Sequence, residues 1–184
     1  TSGGTEANNL AILGTARALA PRRRHLICSS IEHHAVLQCH RHLARNEGFS
    51  LAELPVDSTG RDEPADLQRC LRPDTALVSV MAANNETGVI QPVAELATLC
   101  RNAGVTFHVD AVQWFGKQPF GGVEEWGADL VSACGHKLHG PKGVGLLYCR
   151  SPLPLAPVFQ GGSQENDRRP GTENLPAIVA FSEA

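Results

Sequence analysis

Three stretches, 76–83, 105–110 and 130–133, are nearly unbroken runs of apolar and β-branched residues, and amphipathic stretches with helical spacing lie between runs of this kind. A strand that is apolar on both sides has to be covered on both faces, which a parallel sheet between two layers of helix achieves. Predicted strands are His25–Ser30, Leu51–Val56, Ala76–Ala83, Val105–Asp110, Leu130–Ala133 and Val144–Arg150. Helical patterns occupy Thr5–Leu19, His33–Glu47, Ala65–Leu71 and Val93–Asn102. Gly104 follows the last of these, where a left-handed residue ends a helix. The segment "HGPKG" is too short for a helical crossover, so the strand at 144–150 should run antiparallel to the one before it. The expectation is an α/β fold, a mostly parallel mixed sheet sandwiched by helices, forming one domain over residues 1–184. No internal repeat or low-complexity segment interrupts it.

Charge and cysteine content narrow the function. A formal net charge of −3 argues against nucleic acid or a membrane surface as the main partner. The one basic run, Arg22-Arg23-Arg24, reads as a solvated loop. Six cysteines, at 28, 39, 70, 100, 134 and 149, form no CxxC pair, and several fall inside apolar patterns. They read as buried free thiols rather than disulfides or a zinc site, which favours a reducing, cytoplasmic setting. No apolar stretch is long enough to span a bilayer, and no signal peptide is visible. The chain opens on "TSGGTE" without methionine and stops inside a helical pattern, so it reads as a segment of something longer.

Ligands of an open parallel sheet gather beyond the carboxyl ends of its strands, and those ends are chemically rich here. After 25–30 comes "SSIEHHAV", after 76–83 comes "NNETG", and "FHVDAVQ" carries Asp110 and Gln113. In "TSGGTEANNL", Gly3 and Gly4 permit close backbone approach, and Thr5 starts a helix whose free amides suit a phosphate; the plain alternative is a capping turn with Thr5 as cap. Asp110 ends a buried strand and must be paired or hydrogen-bonded. It reads either as the cap of the following turn or as a carboxylate held against a cationic ring nitrogen. His33, opening a helix, could stack on a flat ring or shuttle a proton.

Lysine is the informative residue. Only three of the sixteen Lys and Arg residues are lysines, at 117, 137 and 142. Unlike arginine, lysine can lose its proton and condense with a carbonyl. Lys137, in "GHK" after 130–133, lies at a strand end with the helix terminus and Asp110. Phosphate, pyridine nitrogen and aldehyde each then have a matching group, which suits pyridoxal phosphate. Lys142, in "GPKGVG", is its rival.

The segments "TSGGTEANNLAI", "EHHAVL", "MAANNETGVIQPV", "FHVDAVQ", "GHKLHGPKGVGLLY" and "RRPGTEN" closely resemble, in order, the motifs of cysteine desulfurases. These are class V aminotransferase-fold enzymes of pyridoxal-phosphate fold type I, with selenocysteine lyases as near relatives. The resemblance implies the cofactor-binding large domain, without the segment before it and the small domain after it. It implies that Lys137 joins the cofactor covalently and moves protons, that Asp110 pairs with the ring nitrogen, and that His33 stacks on the ring. Gln113 would bond the phenolate-oxygen side, Gly4, Thr5 and His136 the phosphate, and Asn85 would sit near cofactor or substrate oxygens. Thr172 would reach the phosphate of a neighbouring subunit, which implies a homodimer.

The implied reaction is L-cysteine to L-alanine, with persulfide sulfur passed to an acceptor protein for iron–sulfur assembly or thiolation. Selenocysteine lyase, another class V enzyme, and a pyridoxal-phosphate-binding fragment without turnover are the rival readings. The chain departs from the family pattern at Cys134, where a serine is usual, and at Asn166, where desulfurases often carry an arginine. In the family, the sulfur-accepting cysteine and the substrate-carboxylate arginine lie beyond "PGTEN". Cys134 is read as a packed thiol rather than that nucleophile, so these 184 residues alone should show little desulfurase activity.

Overall fold

The apolar runs do become the centre of a sheet. The computed structural model describes residues 1–184. Strands β1 (His25–Ser29), β2 (Ser50–Leu54), β3 (Thr75–Met81), β4 (Thr106–Asp110), β5 (Leu130–Cys134) and β6 (Gly145–Cys149) form one sheet in the order β2-β1-β3-β4-β5-β6. The first five run parallel, and β6 pairs antiparallel with β5 across the short "HGPKG" connection. Every residue of β1, β3, β4 and β5 is buried, as strands covered on both faces require.

Helices supply the two covers. On one face α1 (Gly4–Leu19) and α2 (His34–Asn46) set Ile12, Ala16, Val36 and Leu43 against Leu26, Leu77 and Leu130. On the other, α3 (Pro64–Cys70) and α4 (Val93–Asn102) set Leu67 and Leu96 against Val78, Val80, Phe107 and Val109. Each fully buried Leu, Ile, Val or Phe among them contributes about 1.5–3 kcal/mol relative to exposure. Short α5 (Val123–Trp126), α6 (Gln164–Asp167) and the C-terminal α7 (Leu175–Glu183) complete the chain. Gly104 has φ 63° just after α4, the left-handed stop its position indicates. No helix is long and apolar enough to cross a membrane.

Three local expectations change. Helix α1 begins at Gly4, with Gly3 at the cap position and no side-chain cap, so Thr5 lies inside the first turn and does not cap it. His33 does not begin α2 but caps it, its Nδ1 accepting from the Ala35 amide at 3.1 Å. The arginine run is only partly solvated. Arg23 donates to the carbonyls of Gly104 (2.5 Å) and Thr75 (3.2 Å), and Arg24 donates to that of Glu47 (2.8 Å). These carbonyls lie just after α4, at the start of β3 and at the end of α2, and guanidinium groups bond them at the amino-terminal edge of the sheet.

Candidate functional site

The carboxyl ends of β1, β3, β4 and β5 open onto one cavity of about 490 Å³ beside the amino terminus of α1. Two glycines let α1 approach so closely. Gly3 has φ 156°, which a side chain rarely adopts, and a Cβ on Gly4 would stand 2.7 Å from Val112 Cγ2. The first intrahelical bond runs from the Ala7 amide to the Gly3 carbonyl. The amides of the first turn, at Gly4 and Thr5, are therefore not consumed by the helix, and both residues line the cavity.

Asp110 closes the floor. It is 5% exposed; Oδ1 accepts from the Val112 amide at 3.0 Å and Oδ2 from Asn8 Nδ2 at 2.7 Å. It thus does cap the turn after β4, and it also faces the cavity. Burial pushes its carboxyl up, against the pull of Val112, Asn8 and nearby His33. None of the ion pairs of the chain includes it. The carboxylate is held rigidly by neutral donors and has no cationic partner among the side chains.

Beyond β5 the chain makes one 3₁₀ turn, Gly135–Lys137, that brings His136 and Lys137 to the cavity. Cys134, 1% exposed, lies beneath them with its Sγ 4.0 Å from His136 Nε2. Burial raises its thiol, although the backbone amides of Lys137 and Gly4 oppose that. A buried thiol held protonated is a poor nucleophile, in line with its reading as a packed side chain. His33, Asn85 and Gln113 complete the wall, and Lys142 lines it as well. Gln113 Oε1 accepts from Lys117 Nζ at 2.5 Å.

Eight of the nine expected site residues thus share one cavity. Thr172 does not: it lines a second cavity of about 690 Å³, between β6 and α7. Two residues missed in the sequence matter here. Asn8, 1% exposed inside α1, orients Asp110; a buried asparagine in a helical pattern carries no outward sign of its role. Glu32, 4% exposed, accepts from the Met81 amide, beyond the last β1 partner of β3 at Ser79, and its Oε2 has no partner. The side chains bring together no group of three or more His, Cys, Asp or Glu able to hold a metal ion.

The profile of the Aminotransferase class-V family matches residues 1–184. The chain belongs to that family. Its relatives include the protein named Cysteine desulfurase IscS of Dictyoglomus turgidum, 49% identical over all of this chain and 46% of its own length. Another is the mitochondrial cysteine desulfurase of Arthroderma benhamiae, 47% identical over all of this chain and 37% of its own. Among solved structures, a NifS-like protein superposes with a TM-score of 0.95 at 42% identity, covering all of this chain and 50% of that one. DndA from Streptomyces lividans gives 0.92 at 46%, covering all of this chain and 52% of that one. The class V chain therefore spans about half the length of the relatives it matches, and its mostly parallel sheet between helices is theirs.

Proposed function

We propose that residues 1–184 are the pyridoxal-phosphate-binding domain of a cysteine desulfurase, which converts L-cysteine to L-alanine and hands the sulfur, as persulfide, to an acceptor protein. The observation that carries this reading is the convergence of Lys137, Asp110 and the α1 terminus on one cavity. Relatives named cysteine desulfurases, aligned over the whole chain, support the choice of reaction. A structure described as SspA in complex with cysteine, TM-score 0.94 at 37% identity, supports the substrate.

The donor set fits the cofactor. Asp110 is a buried carboxylate without a cation, which a protonated ring nitrogen would supply. Gly4 and Thr5 offer helix amides, with His136 beside them, for the phosphate. Gln113 offers an amide to the phenolate oxygen, and His33 the flat face of an imidazole to the ring. Asn85, which lines the same cavity, would face the cofactor or substrate oxygens. The cavity volume lies within the range of about 300–1,000 Å³ common for small-molecule sites.

When bound, the cofactor supplies an electron sink for the pair released at the substrate Cα. Asp110 would hold the ring nitrogen in its protonated form, and its fixed hydrogen bonds from Asn8 and the Val112 amide mean that it would need no reorganisation to do so. The Lys137 amine would take the proton from the substrate Cα and return one to Cα as alanine forms. Cys134 is buried and would take no sulfur; a different thiol of the protein would, its S–S bond forming as the substrate Cβ–S bond breaks and its proton passing to Cβ. A homodimer gives Thr172 a role in the partner's site, in keeping with its place outside the cavity of its own chain. Six free cysteines are in keeping with the cytoplasm.

The test is product analysis. The full-length protein, loaded with pyridoxal phosphate and given L-cysteine and a thiol reductant, should form alanine and sulfide in equal amounts, and Lys137→Ala should form neither. Loaded protein that leaves cysteine unchanged, or releases pyruvate instead of alanine, contradicts the reading.

A further inference from the structure

All three lysines of the chain lie at or beside one cavity, and Lys117 has so far no role. Lys117 does not line the cavity, yet its Nζ is 2.5 Å from Oε1 of Gln113, which does. The two are four residues apart on a tight turn after β4, where the amides of Phe115 and Gln118 bond back to Ala111 and Trp114. Burial, and next the Lys137 ammonium, lower the Lys117 amine, so it is within electrostatic reach of the reactive lysine.

The chemistry of this pair is directional. A glutamine amide carries an acceptor at one corner and two donors at the other, and nothing in its shape decides which faces the cavity. An ammonium group has three donors and no acceptor, so it can engage only the oxygen. With Oε1 taken by Lys117, the Nε2 hydrogens are left for the cavity. Donation to a carbonyl oxygen also polarises the amide and strengthens its N–H donors. Resting on the pyridoxal-phosphate reading above, we propose that Lys117 is a positioning residue that fixes the Gln113 amide with its donor edge toward the phenolate oxygen of the cofactor. Lys117 touches neither cofactor nor substrate. It selects one of two amide orientations, and the wrong one would set a carbonyl oxygen against an anionic oxygen.

Visible absorption of the pyridoxal-phosphate-loaded full-length protein, titrated with pH, reports this without turnover. A donor at the phenolate oxygen favours the less protonated form of the chromophore, so losing it raises the midpoint. Lys117→Met should raise the midpoint by about one pH unit, a tenfold change in proton affinity. Gln113→Leu should raise it similarly, and Lys117→Arg, which keeps a donor-only cation, should stay near the parent. The double variant Lys117→Met/Gln113→Leu should move no further than Gln113→Leu alone. The other titratable groups around the cavity (Glu6, His33, Asp110, Cys134, His136, Lys137 and Lys142) are unaltered in every variant.

Lys117→Met at the parent midpoint, with Gln113→Leu shifted, overturns the inference. So does full additivity in the double variant, because a charge acting directly would not need Gln113. Nitrogen-15 spectra of the ligand-free protein give a second readout: the Gln113 side-chain amide signal should move in Lys117→Met and return in Lys117→Arg, and an unmoved signal overturns the pairing. A parent protein that shows no visible band defeats the cofactor reading itself, a result distinct from any failure among the variants.

Discussion

Cys134 shows how one atom tunes the site. It lies buried beneath the cavity between the amides of Lys137 and Gly4, at a position where a hydroxyl would be a far better donor to an anion than a protonated thiol. Cys134→Ser should therefore tighten cofactor binding about threefold, the equivalent of roughly 0.6 kcal/mol for one modest hydrogen bond. Fluorescence titration of the ligand-free protein with pyridoxal phosphate checks this, and persulfide formation by the full-length enzyme should persist. Asp110 is tuned differently. Its two oxygens are both engaged, by Asn8 and by the turn it caps, so the same contacts that place it also leave it to wait for a cation.

At the scale of elements, the approach of α1 to the 164–172 segment is the join nearest the site. Arg169 Nε donates to Glu6 Oε1 at 2.7 Å, and Glu6 lies in the first turn of α1. Burial opposes ionisation of Glu6, but the hydrogen bonds from Arg169 and Ser2 outweigh it and hold the carboxyl at about 2. That lies below its value in an unfolded chain, so the pair stabilises the fold above about pH 4.5 and is lost as pH falls toward 2. Solvent screens part of it. Glu6→Gln should lower the melting temperature by about 2–4 °C at pH 7 and by less at pH 4, as calorimetry would show.

The same segment marks where the sequence stops being readable. Helix α4 lies at its expected residues, and the strands shift only by one or two at their ends, because buried runs and amphipathic periods are strong signals. Helices α5 and α6 span four residues each, too few to show a period, and in α6 Glu165 and Asn166 have left-handed backbone. Lys137, Asp110 and Gln113 were legible because a polar group directly after an apolar run stands out. Asn8 and Glu32 were not, since in helical and loop patterns such residues are ordinarily solvated.

Buried titratable groups of opposite sense are distributed through the whole molecule. Burial holds His40 near 4 and His108 near 3, and it lowers His25 as well. Below about pH 6.5 the unfolded chain binds protons there that the native one refuses, so these histidines erode stability as pH falls. Burial acts the other way on acids: it pushes Asp62 up to about 6 and Glu32 well above the usual carboxylate range. The native state then holds protons that the unfolded state has lost, which favours the fold in acid and costs stability as pH rises. The two sets offset each other between pH 5 and 7. Glu32→Gln removes one acid while keeping an acceptor for the Met81 amide. Its urea midpoint should fall more steeply than that of the parent from pH 7 to pH 5, and parallel profiles would show that Glu32 is ionised in the fold.

Borohydride reduction of the pyridoxal-phosphate-loaded protein, followed by peptide mass spectrometry, tests the heart of the assignment. The expected result is one phosphopyridoxyl adduct, on Lys137, with Lys117 and Lys142 unmodified. An adduct on either of those lysines, or none at all, would contradict it.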